Sequence, residues 1–383
     1  MLVDLDHAAT TPPRPEARAA LERWLAAANA SARHLAGQDA RAVVEEARER
    51  IAGLVGASPH DVVLTSGGTE ADNLAVKGIV WAARDRIRAV PHVVVSAVEH
   101  AAVLEPARWL AERGDVRLDE VAPGRDGRVD PEAVLAAVRD DTVLVSVMAA
   151  NNELGSVNDL APIAAALAER DVALHSDAVQ AVATRPFDVA ALGLDAAALS
   201  AHKFGGPQGV GIAVLRRGLA VEPLAHGGGQ DRGVRSGTFA VAMVAACAAA
   251  LAAAVDDREA LATRLTALSD RLAGAMTALP GVRREGPTDA TQRLASHVHL
   301  TIDGVDGDAL ALELDRVGVA ASSGSACGSG AGRPSHVRTA CGLDGTPLRL
   351  SLGWTTTDTD VELAIDRLGE AIGRLRPTLA RLA

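Results

Sequence analysis

From about residue 40 to residue 215, short apolar runs alternate with longer stretches whose apolar residues recur at helical spacing. Val62-Val63-Leu64, Val93-Val94-Val95, Val143-Leu144-Val145, Ala173-Leu174-His175, Ala197-Ala198-Leu199 and Ile212-Ala213-Val214-Leu215 predict strands. Alanine-, glutamate- and arginine-rich stretches between them, such as Asp159 to Arg170, predict helices. That alternation predicts an α/β fold with a mostly parallel, doubly wound sheet. Ligands of such sheets bind beyond the carboxyl ends of the strands. After residue 255 the pattern changes. A long helical stretch, Asp256 to Leu279, ends at Pro280-Gly281, and short strands follow at His297 to Ile302 and Leu348 to Leu352. The pattern therefore predicts a large domain over 14–255 and a smaller α+β domain built from 1–13 with 256–383. The alanine-rich run Phe239 to Val255 is short for a membrane span and predicts a buried helix.

Composition narrows the function. Of 383 residues, 48% are hydrophobic and 23% charged, which describes a soluble globular chain. A net charge of −11 argues against direct binding to nucleic acid or to an anionic membrane. The cysteines, Cys247, Cys327 and Cys341, show no spacing of a disulfide frame or zinc site, and no metal is expected. Met1 to Asp6 carries no signal-peptide pattern, so the expected setting is the cytoplasm.

Lysine is almost absent. Lys77 and Lys203 are the only lysines among 38 basic residues, and Lys203 lies in Ser200-Ala201-His202-Lys203-Phe204-Gly205-Gly206-Pro207. Arginine stays protonated and cannot replace a Schiff-base lysine. Lys203 thus reads either as the anchor of an aldehyde cofactor or as a surface lysine before a turn. Thr65 to Asn73, containing Ser66-Gly67-Gly68-Thr69-Glu70, runs from a strand through glycines into a helix, with Thr69 as the expected N-cap. The free N–H groups there suit a phosphate, and equally an ordinary turn. Asp177, after a buried strand, could hold a protonated ring nitrogen or cap the next helix. With no tyrosine in the chain, His100 is a candidate both to stack on a ring and to move protons. Ser322 to Gly332 surrounds Cys327 with small residues that leave a nucleophilic thiol accessible. Cys247 and Cys341 read as structural. His226-Gly227-Gly228-Gly229 resembles an esterase oxyanion loop, but no Gly-x-Ser-x-Gly elbow accompanies it.

Taken in order, these segments resemble a cysteine desulfurase of the pyridoxal-phosphate fold type I class. The resemblance runs from Asp4 to about Leu375. It adds Asn151-Asn152-Glu153-Leu154-Gly155, Arg235-Ser236-Gly237-Thr238 and Arg349-Leu350-Ser351-Leu352-Gly353 to the motifs above. The Ser-Ser-Gly-Ser-Ala-Cys loop is similar to that of the long-loop subgroup of housekeeping and nitrogen-fixation enzymes. The resemblance implies pyridoxal 5'-phosphate as cofactor, bonded to Lys203, which later moves the α-proton. His100 is implied to stack on the ring as acid/base. Asp177 is implied to hold the ring nitrogen and Gln180 the phenolic oxygen. Gly68, Thr69, Ser200 and His202 are the implied phosphate ligands, with Thr238 reaching in from the other subunit of a homodimer. Asn152 and Arg349 are implied to take the carboxylate of L-cysteine, and Cys327 to accept its sulfur as a persulfide for a sulfur-acceptor protein. The same resemblance leaves open a selenocysteine lyase, another fold type I enzyme, or a non-catalytic partner protein that keeps the fold. Asn29-Ala30-Ser31 lacks the proline usual after that asparagine, and Ala201 replaces a glycine found in some members. The chain ends soon after what reads as a short helix, so iron–sulfur assembly, tRNA thiolation and DNA phosphorothioate modification all stand as pathways.

Overall fold

The computed structural model describes residues 2–84, 89–322 and 335–379. Its strands in chain order are β1 (Val3–Asp4), β2 (Val62–Thr65), β3 (His92–Ser96), β4 (Arg117–Val121), β5 (Thr142–Ser146), β6 (Ala173–Asp177), β7 (Ala196–Ser200), β8 (Gly211–Leu215), β9 (Val282–Glu285), β10 (His297–Ile302), β11 (Val319–Ala320) and β12 (Thr346–Ser351). Seven of them form one sheet in the order β2-β8-β7-β6-β5-β3-β4, with β8 antiparallel to both its neighbours and the other pairings parallel. The continuous apolar runs follow from burial on both faces. Val62, Leu64, Val94 and Val145 enter the core on one face, while Val63, Val93, Val95 and Leu144 enter the core on the other. Strand order reverses between β3 and β5, which opens a crevice at their carboxyl ends. Gly211 on β8 lies against the turn that leads into the helix Gly68–Arg84. A Cβ there would stand 2.5 Å from the Gly67 backbone.

A second, antiparallel sheet has the order β12-β10-β9, and β1 pairs in parallel with β11. Val3 and Leu5 share an apolar core with Leu265, Leu300 and Leu350. The N-terminal strand thus packs with the C-terminal part of the chain.

Several elements differ from expectation. The alanine-rich helix runs Val241–Asp256 and the next begins at Arg258, so Asp257 marks a break between them. The stretch from Asp159 is helical only over Ala161–Leu167. The last helix, Asp358–Leu379, is 22 residues long rather than short. β4 and β9 carry charged residues on edges of their sheets, a composition that hides a strand from an apolar pattern.

Candidate active site

Five strands of the large sheet, β2, β3, β5, β6 and β7, lead to the same place. β2 ends in Ser66-Gly67-Gly68 and the helix Gly68–Arg84. β3 leads to Glu99 and His100, β5 to Met148 and Asn152, β6 ends in Asp177, and β7 ends in Ser200 before the single turn Ala201–Lys203. These ends enclose a cavity of about 240 Å³ whose walls include Gly68, Thr69, His100, Asn152, Asp177, Gln180, Ser200, His202 and Lys203.

The helix starts at Gly68, so Thr69 lies within its first turn rather than capping it. Glu70 reaches back instead and accepts from the Ser66 N–H at 2.6 Å. A Cβ on Gly68 would come 3.0 Å from Val179 Cγ2 and 3.3 Å from Ser200 Cβ, so glycine keeps that end of the cavity open beside exposed helix N–H groups. His202 completes this end, with Nδ1 3.1 Å from Thr10 Oγ1. Burial, and then the Lys203 charge, push its imidazole down to about 4, so it is neutral at physiological pH. Glu70 also pairs with Arg235 at 2.8 Å, which ties the segment leading to Thr238 onto the helix Gly68–Arg84. Thr238 itself is exposed and does not line the cavity of its own chain.

Lys203 donates from Nζ to the carbonyl oxygens of Ala8 at 2.5 Å and Ala9 at 2.9 Å. Gln180 donates to the same Ala8 oxygen at 3.0 Å. The N-terminal segment, far away in sequence, therefore holds the lysine in place. Asp177 is buried and accepts from the Val179 N–H at 2.9 Å. Burial raises its carboxyl above the usual range, while His100 and Lys203 pull it back down. His100 caps the helix Ala101–Glu112, its Nδ1 accepting from the Ala102 N–H at 3.1 Å. That bond leaves the ring proton on Nε2. Burial lowers the imidazole, against the opposing pull of Asp177, so it is neutral and able to take up or release a proton.

Arg349, on β12, is 2% exposed. It donates from Nη2 to Asp6 at 2.7 Å and from Nη1 to the Asn152 carbonyl at 3.1 Å, and its Nε has no partner among the described residues. Arg349 thus lies beside Asn152 without lining the cavity itself. Cys327 lies outside the described residues. The two chain positions that flank the undescribed segment meet this same place. Ser322 exchanges backbone bonds with Arg349, while Ser335 donates to Glu153 at 2.6 Å and His336 Nε2 to the Glu99 carbonyl at 2.9 Å. Cys247 and Cys341 are buried, and burial raises their thiols to about 12 and about 11.

The sequence reading missed Asp72, Glu99 and Asp6. Asp72 lines the cavity, Glu99 is fully buried behind it, and Asp6 holds Arg349. Asp72 and Glu99 stand inside motifs already singled out, directly after Glu70-Ala71 and directly before His100, and nothing in that pattern distinguishes them from surface acids.

The residues present fit pyridoxal 5'-phosphate. They offer a glycine turn beside helix N–H groups and a neutral imidazole, a buried acid and the site's lysine, all on the walls of one cavity. Comparison with known proteins agrees. An IscS-like cysteine desulfurase of Mycobacterium tuberculosis is 46% identical over 97% of this chain and 96% of its own length. A cysteine desulfurase IscS of Methanosarcina thermophila is 37% identical over 98% of this chain and 93% of its own. Among solved structures, a NifS-like protein superposes with a TM-score of 0.90 at 30% identity, covering 98% of this chain and 100% of that one. DndA from Streptomyces lividans superposes with a TM-score of 0.77 at 32% identity, covering 90% and 97%. The aminotransferase class-V family model matches residues 3–363, a span that holds every cavity residue named above together with Arg349 and Cys327, and the chain belongs to that family.

Proposed function

We propose that this chain is a pyridoxal-phosphate-dependent cysteine desulfurase, converting L-cysteine to L-alanine and passing the sulfur on through Cys327. The observation that carries the reading is Lys203, held by Ala8 and Ala9 on the wall of a cavity that also presents Asp177, His100 and the Gly68 turn. Pyridoxal 5'-phosphate supplies an aldehyde for the amino group and a ring that accepts the electron pair left when the α-proton departs. Gly68, Thr69, Ser200 and His202 would hold its phosphate, Asp177 its ring nitrogen and Gln180 its phenolic oxygen. Arg349, fixed in plane by Asp6 and the Asn152 carbonyl, would clamp the substrate carboxylate with its remaining N–H groups, and Asn152 would assist. Lys203 would move the α-proton, and neutral His100 would carry a second proton on Nε2. The Cys327 thiolate would attack the substrate sulfur. The substrate C–S bond breaks, an S–S bond forms on Cys327, and the carbon skeleton leaves as alanine after gaining a proton.

The same reading takes 14–255 as the cofactor-binding domain and 1–13 with 256–383 as the smaller one. It makes the enzyme a homodimer, because Thr238 is exposed and lies off its own cavity, where a second subunit could receive it. Among the described residues no helix is long and apolar enough to cross a membrane. A reducing cytoplasm suits the free thiols of Cys247 and Cys341. The partner is a sulfur-acceptor protein, with nucleic acid reached only through it.

The test is Lys203→Ala beside Cys327→Ser. Lys203→Ala should lose the yellow cofactor absorbance and the borohydride-trapped peptide. Cys327→Ser should keep both and lose alanine and persulfide formation, since a hydroxyl is a weak nucleophile at neutral pH. Trapping at Lys77, or cysteine turnover by Cys327→Ser, would overturn the assignment.

A further inference from the structure

Asp72 projects into the cofactor cavity from the helix Gly68–Arg84 and is 1% exposed. Its Oδ1 stands 3.5 Å from Nε2 of His175, and neither atom has a hydrogen-bond partner among the described residues. The other ring nitrogen of His175, Nδ1, is 2.8 Å from Ser146 Oγ. A carboxylate oxygen of Asp72, one of Asp177 and a ring nitrogen of His100 all lie within 4.8 Å of one another. The charged or titratable groups acting on this cluster are Asp177, Glu99, His100, His175 and Lys203, with His336 and Glu153 acting on it through His100.

Three carboxyls share this buried space, and neighbouring anions there repel strongly. They are not equally provided for. Asp177 has the Val179 N–H and faces Lys203 and His100. Glu99 has the Met148 N–H at 2.5 Å, while Asp72 Oδ1 accepts no hydrogen bond from the described residues. Burial and the charge of Asp177 push both Asp72 and Glu99 well above the usual carboxylate range, and burial alone drives His175 down to about 3.

We propose that Asp72 is a positioning residue that keeps its proton and donates it to Nε2 of His175, leaving Asp177 as the single carboxylate facing the cofactor ring. The chain of bonds then runs from the Asp72 O–H to His175 Nε2, and from His175 Nδ1–H to Ser146 Oγ. Every member is neutral, so the orphaned pair is satisfied without adding a second charge beside Asp177. The proposal rests on the cavity being the cofactor site, and it is tested first on protein stripped of cofactor.

The experiment compares the wild-type chain with Asp72→Asn and Asp72→Leu. Infrared difference spectra between wild type and Asp72→Asn should show loss of protonated-carboxyl absorption and no loss of carboxylate absorption. Nitrogen-15 NMR should show His175 protonated on Nδ1 in wild type. Asp72→Asn should keep that tautomer, since an amide N–H can donate in its place, and Asp72→Leu should not. Pyridoxal-phosphate affinity should fall by less than about threefold in Asp72→Asn and by about tenfold or more in Asp72→Leu, the scale of one lost buried hydrogen bond. Loss of carboxylate absorption in Asp72→Asn, a His175 proton on Nε2, or equal weakening by both variants would overturn the proposal. Failure of the cofactor reading shows up separately, as a wild-type chain that does not bind pyridoxal phosphate.

Discussion

Asp231 and Asp72 are both buried, and their surroundings could hardly differ more. Asp231 receives Arg48 Nη2 at 2.7 Å on one oxygen and the Leu64 N–H at 2.9 Å on the other, while Arg48 also donates to the Val62 carbonyl. The residue adopts a left-handed backbone, φ 43°, that these bonds help to hold. The network pins the loop before Thr238 to strand β2. Asp72, by contrast, shares its space with Glu99 and Asp177, and its Oδ1 accepts no hydrogen bond from the described residues. A fold selected for stability alone has no use for three acids buried together. The difference teaches where this molecule spends stability: at the carboxyl ends of its strands, around the position of the cofactor.

The largest effect that sharpens the contrast is expected from Arg48→Met. It leaves Asp231 buried without its cation, and breaking such a pair costs about 3–5 kcal/mol of unfolding free energy. Denaturant titration measures the loss, and the protein that remains folded should still bind cofactor. A loss under about 1 kcal/mol would place Arg48 among ordinary surface pairs.

Glu99→Gln comes next, with the opposite sign. The folded state holds the Glu99 carboxyl well above its unfolded range, through burial first and Asp177 second. That favours folding below the unfolded carboxylate value and is lost as pH rises through the folded one. A glutamine at this position cannot ionise, and its amide oxygen can still accept from the Met148 N–H. Thermal unfolding followed from about pH 5 to pH 9 should therefore show the variant gaining on the wild type toward alkaline pH. Parallel curves would mean that Glu99 is ionised in the folded protein at no cost.

The smallest effects belong to the buried thiols. Cys247→Ser and Cys341→Ser should keep most of the activity, and a thiol reagent on native protein should label Cys327 alone. Thiols raised to about 12 and about 11 supply almost no thiolate at neutral pH. Rapid labelling of Cys341 would move the nucleophile.

The strands of the parallel core were legible because a run buried on both faces must be apolar throughout, and Val93-Val94-Val95 needs no context to be read that way. Lys203 stood out because the chain has almost no other lysine. The order of motifs carried the family and the cavity residues from Gly68 to Lys203. Tertiary structure alone decided the rest. Charged β4 and β9 become strands through their pairing partners, not through their own composition. Asp6 meets Arg349 across 343 positions of sequence, and Ala8 meets Lys203 across 195. Asp72 sits three residues beyond Thr69 in a helix whose pattern says only that one side is wet. Whether an acid there faces water or another buried acid depends on which strand end packs against it, and that contact is written in no local pattern.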